Sequence, residues 1–184
     1  MAKKKNRPYV NNKEFLEEMT KFRDKVIQAK QNGKSRPRVP DSIGIKIMKI
    51  ATHLSHKPNF INYTFREEMI SDGIENCLQY IDNFNPDKSK NPFAYFTQII
   101  YFAFIRRIQK EKKNLYIKYK MSDNANIFDT TSAKHEAESG ASYNDSIKYG
   151  EWSKSYMSDF ITTFEDNKRK KRLKTVDKVM KGEN

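Results

Sequence analysis

The chain has 184 residues, of which 36 are lysine or arginine and 23 are aspartate or glutamate, so its formal net charge is +13. A basic excess of this size favours nucleic acid over a membrane surface as the partner. The single cysteine, Cys77, excludes an intramolecular disulfide, and no apolar run approaches the roughly 20 residues that would span a bilayer. No apolar segment follows the basic start, so we expect no secretory signal and a cytoplasmic protein.

Apolar residues recur at helical spacing through most of the chain, and the sequence shows no β-type alternation. The pattern predicts an all-α fold, with a compact domain of about four helices over residues 11–120 and a basic disordered tail over residues 1–10. The first helix is expected to begin at Asn11, which forms a capping pair with Glu14, and to end at Gly33.

The second helix starts at Asp41 or Ser42, after a basic linker that contains prolines. The third follows a T-x-x-E capping box made by Thr64 and Glu67. Its apolar face is predicted to contain Phe65, Met69, Ile70, Ile74, Cys77, Leu78, Ile81 and Phe84. Pro92 suits the first turn of a long fourth helix, because proline lacks the N–H that would be unsatisfied there.

The composition changes after Lys120. Residues 121–150 are polar and aperiodic, which is typical of a flexible linker. A short apolar cluster within residues 151–166 predicts a C-terminal helical motif, and residues 167–184 form a basic tail.

The residue types of an active site are scattered along the chain. No glycine-rich phosphate-binding motif occurs, and no acidic cluster with a partner base is visible. His53 and His56 can share a helical face, but no nearby Cys, Asp or Glu completes a metal site, so we interpret them as polar surface residues. We expect no enzymatic activity, no cofactor and no metal.

The fourth helix has apolar residues nearly all the way round. Three stripes follow the helical period: Phe96, Ile100 and Ala103; Tyr95, Ile99 and Phe102; and Tyr101, Ile105 and Ile108. Either the helix is buried on every side, or one aromatic stripe is exposed for function. Seven basic residues and one acid lie between Ile105 and Lys120. Rings beside cations suit unpaired nucleic acid, because the rings stack on bases while the cations hold phosphates.

The third helix has the opposite charge. Five acids and no base lie between Glu67 and Asp82. An acidic face would repel DNA, so it suits docking to a basic protein partner. A solvated face that balances the charge of the chain is the alternative interpretation.

The segment "EEMISDGIENCLQYIDNFNPDKSKNPFAYFTQIIYFAFIRRIQ" resembles region 2 of bacterial sigma factors. Residues 68–73 match the acidic start of that region, residues 84–88 match its Phe-Asp-Pro turn, and residues 93–97 match the Phe-Ser-Thr-Tyr-Ala start of the next helix. The resemblance covers roughly residues 41–113. The chain departs from the family at Ile74, where an Asn is usual, and at residues 99–100, where two isoleucines replace the usual tryptophan pair.

The resemblance implies a role for each matched position. The residues implied to bind the clamp helices of the largest polymerase subunit are Glu68, Ser71, Asp72 and Glu75. The residues implied to bind the melted promoter strand are Tyr95, Phe96, Tyr101, Phe102, Arg106, Arg107, Lys110 and Lys113. The function implied is transcription initiation, with recognition and melting of a −10-type promoter element.

Within that family the chain is most similar to the short late-transcription sigma factors of T-even-type bacteriophages, which end in a hydrophobic-acidic motif that binds the DNA sliding clamp. The residues of similar character here are Asp159, Phe160, Ile161, Phe164 and Glu165. A basic tail follows them, where the family motif lies near the terminus. An amphipathic turn that packs on the main domain is the alternative interpretation of this cluster.

The resemblance implies as partners the bacterial core RNA polymerase, promoter DNA, a phage sliding clamp and a coactivator, in the cytoplasm of a host bacterial cell. Two other classes of protein fit the same composition. A basic architectural protein would bind any duplex, and an RNA-binding regulator would prefer single-stranded RNA; neither would need polymerase.

Overall fold

The computed structural model describes residues 9–125 and 142–180, and in those ranges it contains five α-helices, one 3₁₀ turn and no β-strand. The helices are α1 (Asn12–Gln31), α2 (Asp41–Ser55), α3 (Arg66–Tyr80), α4 (Pro92–Asn124) and α5 (Ser142–Met180), and the 3₁₀ turn is Ile81–Asn83. The expected all-α fold is confirmed.

The helix ends follow local chemistry at most positions. The side chain of Asn11 accepts a hydrogen bond from the Lys13 N–H at 3.1 Å, and Gly33 ends α1 with a φ of 63°, a left-handed conformation that favours glycine. Pro92 is the first residue of α4, as predicted. The prediction of a capping box at Thr64 is wrong, because Phe65 occupies the N-cap position of α3 and makes no side-chain capping hydrogen bond.

The chain divides into two compact units, Met1–Gln109 and Lys110–Asn184, and the division falls within α4. In the first unit, one side of each of α1 to α4 contributes to a single apolar core. Aromatic rings dominate the contacts around α4: Phe15 stacks on Phe96 at a centroid distance of 5.4 Å, and Phe60 meets Phe104 edge to face at 5.2 Å. Such pairs stabilise by about 0.5–1.5 kcal/mol each beyond the area they bury.

Polar side chains of α1 hold the start of α4 and the turn before it. The amide oxygen of Asn12 accepts a hydrogen bond from the Phe93 N–H at 3.2 Å, which satisfies one of the donors left open at a helix start. Arg23 donates to the amide oxygen of Asn85 at 2.6 Å and pairs with Asp87 at 3.3 Å. These contacts fix the direction in which α4 leaves the turn.

The second unit contains the end of α4 and the whole of α5. Here the structure differs from the expected linker and tail, because residues 121–124 continue α4 and residues 142–150 begin α5. Residues 167–180, expected to be a tail, are also helical. The rest of the expected linker, residues 126–141, lies outside the described residues, as do most of residues 1–10. None of the helices that the structure describes has both the length and the hydrophobicity to cross a membrane.

Candidate nucleic-acid and protein-binding surfaces

One side of α4 is buried in the apolar core. Phe96, Ile100 and Phe104 have no exposed surface, and Ala103 and Ile108 are also buried. The expectation that Phe96 binds DNA is therefore corrected: its ring is packed between those of Phe15 and Phe84. The first of the three apolar stripes is wholly buried, and Phe104, together with Ile108 of the third stripe, completes the buried side.

The other half of α4 exposes aromatic rings. Tyr101 is 40% exposed and Phe102 is 49% exposed, and the two rings meet edge to face at 5.8 Å. Tyr101 also meets the buried ring of Phe60 at 5.7 Å. Buried Phe60 thus holds one side of the pair, while both rings remain accessible from solvent.

Tyr95 is half-buried and serves two structural contacts. Its hydroxyl donates to the backbone carbonyl of Tyr80 at 3.0 Å, and its ring packs against Phe84 at 5.3 Å. Burial raises the pKa of this hydroxyl above its ordinary value. Of the four rings expected to bind the melted strand, Phe96 is buried, and Tyr95 is the most restricted of the other three.

Gln98, Phe102 and Arg106 follow each other at one-turn intervals on α4, and all three are exposed. We call these three residues the Phe102 face. Arg106 donates to the amide oxygen of Asn76 on α3 at 2.8 Å, which positions the guanidinium while leaving other donors of the group for a ligand. An amide, a ring and a guanidinium along one line can hydrogen-bond a base edge, stack on its plane and bind a phosphate.

Arg107 and Asp72, expected on opposite surfaces, bind each other. Arg107 pairs with the Asp72 carboxylate: its Nε lies 2.8 Å from one oxygen, and an Nη donates a hydrogen bond to the other at 3.1 Å. Their side chains are 18% and 32% exposed. The two residues tie α3 to α4, so each is already engaged within the first unit, and their implied roles in binding DNA and polymerase stay predictions.

The other α3 residues implied to bind polymerase are accessible. Glu68, Ser71 and Glu75 are exposed, and Leu78, which was expected in the core, is 38% exposed beside them. Leu78 also lines a shallow depression of about 380 Å³, together with Arg36, Arg38, Val39, Pro40, Asp41 and Gly44. We call Glu68, Ser71, Glu75 and Leu78 the acidic face. An apolar side chain within a polar rim is the usual arrangement of a protein-docking surface.

The second unit contains the remaining candidate residues. Lys110 and Lys113 are exposed on the continuation of α4. The C-terminal cluster lies in the middle of α5, where Ile161 is buried, Phe160 and Phe164 are half-buried, and Asp159 and Glu165 are exposed. Phe160 and Phe164 pack within the second unit, against the end of α4.

Aromatic contacts close the C-terminal cluster. Phe164 stacks on Tyr116 of α4 at 4.5 Å with an interplanar angle of 17°, and Phe160 meets Tyr119 edge to face at 5.4 Å. Glu165 accepts hydrogen bonds from the Tyr116 hydroxyl at 2.8 Å and from Lys120 Nζ at 3.3 Å. The bond from Tyr116 and then that from Lys120 lower the pKa of the Glu165 carboxyl.

No protein-family model matches the chain, and no curated protein matches it significantly in sequence.

His53 and His56, the histidines that the structure describes, form no site. His53 stacks on Tyr9 at 3.9 Å, and the Nδ1 atom of His56 lies 2.7 Å from the backbone oxygen of Thr52. Both are exposed, as expected of surface histidines. Within residues 9–125 and 142–180, no three His, Cys, Asp or Glu side chains come together in a way that could hold a metal ion.

Three residues of these surfaces were not singled out from the sequence. Gln98 precedes Phe102 by one turn, a spacing that the helical period alone would have shown. Asn76 and Phe60 act through contacts with Arg106 and Tyr101, which are 30 and 41 residues away along the chain. No local pattern reports such distant contacts.

Proposed function

We propose that the chain is a phage late-transcription sigma factor, which binds bacterial core RNA polymerase and captures unpaired bases of a −10-type promoter element. The observation that carries this proposal is the Phe102 face, whose half-exposed ring lies on a helix that is fixed by the core on its opposite side. A preformed ring with a guanidinium one turn away suits base capture, because the ring and the charge need no rearrangement to bind.

Energetics explain why such a chain needs polymerase. Opening about ten base-pair steps costs on the order of 14 kcal/mol in stacking. Two bases stacked on Tyr101 and Phe102 would return roughly 2–6 kcal/mol. We therefore expect the free chain to bind DNA weakly and in a salt-sensitive manner, and to open a promoter only together with core polymerase.

The acidic face is the proposed docking surface for the clamp helices of the largest polymerase subunit. Glu68 and Glu75 supply charge that would steer association, and Leu78 supplies an apolar anchor. This surface lies on α3, whereas the Phe102 face lies on α4, so polymerase and DNA would be bound by different helices of the first unit.

The C-terminal cluster is the proposed contact with a phage sliding clamp, and a coactivator is a further proposed partner. Because Phe160 and Phe164 pack on Tyr119 and Tyr116, the cluster would have to exchange these internal contacts for the clamp. In this role the protein would act on DNA in the cytoplasm of the host bacterial cell.

Capture by immobilised core polymerase tests the proposal. The double variant Glu68→Lys, Glu75→Lys should lose capture because it reverses the charge of the acidic face. The double variant Glu17→Lys, Asp24→Lys changes the net charge by the same amount at exposed positions of α1 and should retain capture. Asp72 is unsuitable for this purpose, because its replacement would also release Arg107.

Three results would contradict the proposal. Failure of polymerase to capture the unmodified chain, combined with uniform binding to any duplex, would indicate an architectural protein. The same failure with a preference for single-stranded RNA would indicate an RNA-binding regulator. Equal loss of capture in both double variants would show that net charge, rather than the acidic face, determines association.

A further inference from the structure

The most concentrated charge of the molecule lies on α5 after the C-terminal cluster. All side chains of residues 167–175 are exposed, and we call this stretch the basic segment. Its six cations are Lys168, Arg169, Lys170, Lys171, Arg172 and Lys174, and Leu173 is its only apolar residue. Arg169 pairs with the neighbouring Asp166 at 3.3 Å.

This charge works against the stability of the helix that contains it. Lys168 and Arg172 are four residues apart, as are Lys170 and Lys174, and like charges at this spacing repel each other. A polyanion that bound the basic segment would remove this repulsion. The repulsion between these cations destabilises the free helix, and binding of a ligand of opposite charge would relieve it.

The composition of the basic segment restricts the class of ligand. A helix that lies on a lipid surface needs an apolar face, and Leu173 alone does not provide one. The segment has no aromatic ring to stack on unpaired bases. The core of a protein interface is typically poor in lysine and rich in aromatic residues, the opposite of this composition.

Nine helical residues extend over about 13 Å. Along that distance duplex DNA carries about eight phosphate charges, one for every 1.7 Å or so of its axis. Six cations distributed around the helix match a row of phosphates better than they match an isolated anion. Contacts from lysine and arginine to phosphates position a protein on DNA without reading its base sequence.

We infer that the basic segment binds the phosphate backbone of duplex DNA, independently of base sequence. It is a second DNA contact, separate from the Phe102 face, and it requires neither polymerase nor unpaired bases. The choice of DNA over RNA rests on the proposed function.

The experiment measures binding of the full chain to a fluorescent duplex of about 30 base pairs without promoter sequence, between about 50 and 300 mM NaCl. The triple variant Lys170→Gln, Lys171→Gln, Lys174→Gln should reduce the slope of log K against log salt by about 2 to 3, since each phosphate contact contributes about 0.9. Its affinity at about 0.1 M salt should fall at least tenfold.

The matched control is Lys21→Gln, Lys25→Gln, Lys49→Gln, which removes the same charge from exposed positions of α1 and α2. Its slope should change by less than about 1. Equal slopes for the two triple variants would overturn the inference. Circular dichroism should show both variants folded, because all six positions are exposed.

Competition experiments identify the ligand. A second duplex of unrelated sequence should compete equally, and a tenfold preference between the two would overturn sequence independence. Stronger competition by duplex RNA or by polyglutamate of equal charge would overturn the assignment to DNA. Since polymerase is absent, this result does not depend on the capture experiment: the basic segment can bind DNA even if capture fails, and the reverse is equally possible.

Discussion

The Phe102 face and the C-terminal cluster are both aromatic residues flanked by charge, but they differ in availability. Phe102 is half-exposed, and the guanidinium of Arg106 beside it is positioned by a hydrogen bond to the amide oxygen of Asn76. Phe164, by contrast, is stacked on Tyr116, and Glu165 next to it is engaged by two donors. One surface can bind a ligand as it stands, whereas the other must first give up internal contacts.

The largest expected effect comes from removing the exposed rings of Tyr101 and Phe102. Tyr101→Ala, Phe102→Ala should lower the equilibrium for promoter opening by roughly 2–6 kcal/mol, or about 30-fold to more than 10⁴-fold, while capture by polymerase is unchanged. Fluorescence of 2-aminopurine placed in the promoter measures opening.

The control for the ring variant is Ile45→Ala, Met48→Ala. These two residues of α2 are 47% and 49% exposed, so they match the rings in exposure but lie on another helix. The control should open the promoter as the unmodified protein does. If both double variants lost opening to the same extent, the Phe102 face would have no special role.

The next effect tests whether the Phe102 face depends on the fixed position of α4. Gly73 of α3 lies against α4, and a Cβ atom at this position would approach Ile100 to 3.1 Å and Phe104 to 3.2 Å. Gly73→Leu should therefore reduce the free energy of unfolding by about 1–3 kcal/mol through overpacking. Urea denaturation measures the change.

Gly44→Leu is the matched control for Gly73→Leu. A Cβ at Gly44 of α2 would meet nothing within 4 Å, so leucine should be tolerated there and should raise helix propensity by up to about 1 kcal/mol. A Gly73→Leu protein as stable as the Gly44→Leu protein would show that α3 and α4 separate readily. The Phe102 face would then have no rigid support.

Local patterns in the sequence were sufficient for the fold class and for several helix ends. Gly33 and Pro92 act through their own backbone chemistry, which is visible without knowing any neighbour. Periodicity also identified α4 as having more apolar surface than one face can hold. It did not separate Phe96 from Phe102, because which stripe faces the core depends on where α1 and α3 lie.

The candidate site was less predictable because its chemistry depends on distant pairs. Asp72 and Arg107 are 35 residues apart, and only the packing of α3 on α4 shows that they neutralise each other. The C-terminal cluster shows the same limit, since Tyr116 and Glu165 are separated by 49 residues. Residue type and spacing indicate which groups can bind, but not whether an internal partner already binds them.

A smaller effect is expected from removing an internal contact of the C-terminal cluster. If the sliding clamp binds Phe160 and Phe164, then Tyr116→Ala should increase the affinity for clamp by a few-fold to about tenfold, because the cluster no longer exchanges a stacked ring pair. Phe160→Ala, Phe164→Ala should abolish clamp-stimulated transcription and spare basal initiation. Fluorescence anisotropy with labelled clamp measures the affinity.

Tyr116→Phe is the control for Tyr116→Ala, because it keeps the ring and removes only the hydroxyl that donates to Glu165. It should raise clamp affinity less than Tyr116→Ala does. Unchanged or weaker clamp binding by Tyr116→Ala would show that the internal contacts do not compete with the clamp. The cluster would then be structural packing.

The smallest effect concerns pH and separates the two regions directly. Hydrogen bonds from Tyr116 and Lys120 hold the pKa of Glu165 below its ordinary value of 4.5, so this carboxylate stabilises the second unit above that pH. The contribution is lost as the pH falls through the lowered pKa of the folded state. Trp152, the single tryptophan of the chain, lies on α5, so its fluorescence reports on the second unit.

Thermal melting followed at Trp152 should therefore show a loss of stability as the pH falls below about 4.5, and Glu165→Gln should remove part of that pH dependence. The variant should be slightly less stable than the unmodified protein at neutral pH and equal to it at acid pH, and the difference should be small because Glu165 is exposed and water screens its charge. The control Asp159→Gln, at another exposed acidic residue of α5, should leave the dependence of thermal stability on pH unchanged. If Glu165→Gln and Asp159→Gln changed the pH dependence of stability equally, general charge repulsion rather than the hydrogen bond from Tyr116 would determine it. The contrast with the Phe102 face would then rest on aromatic packing alone.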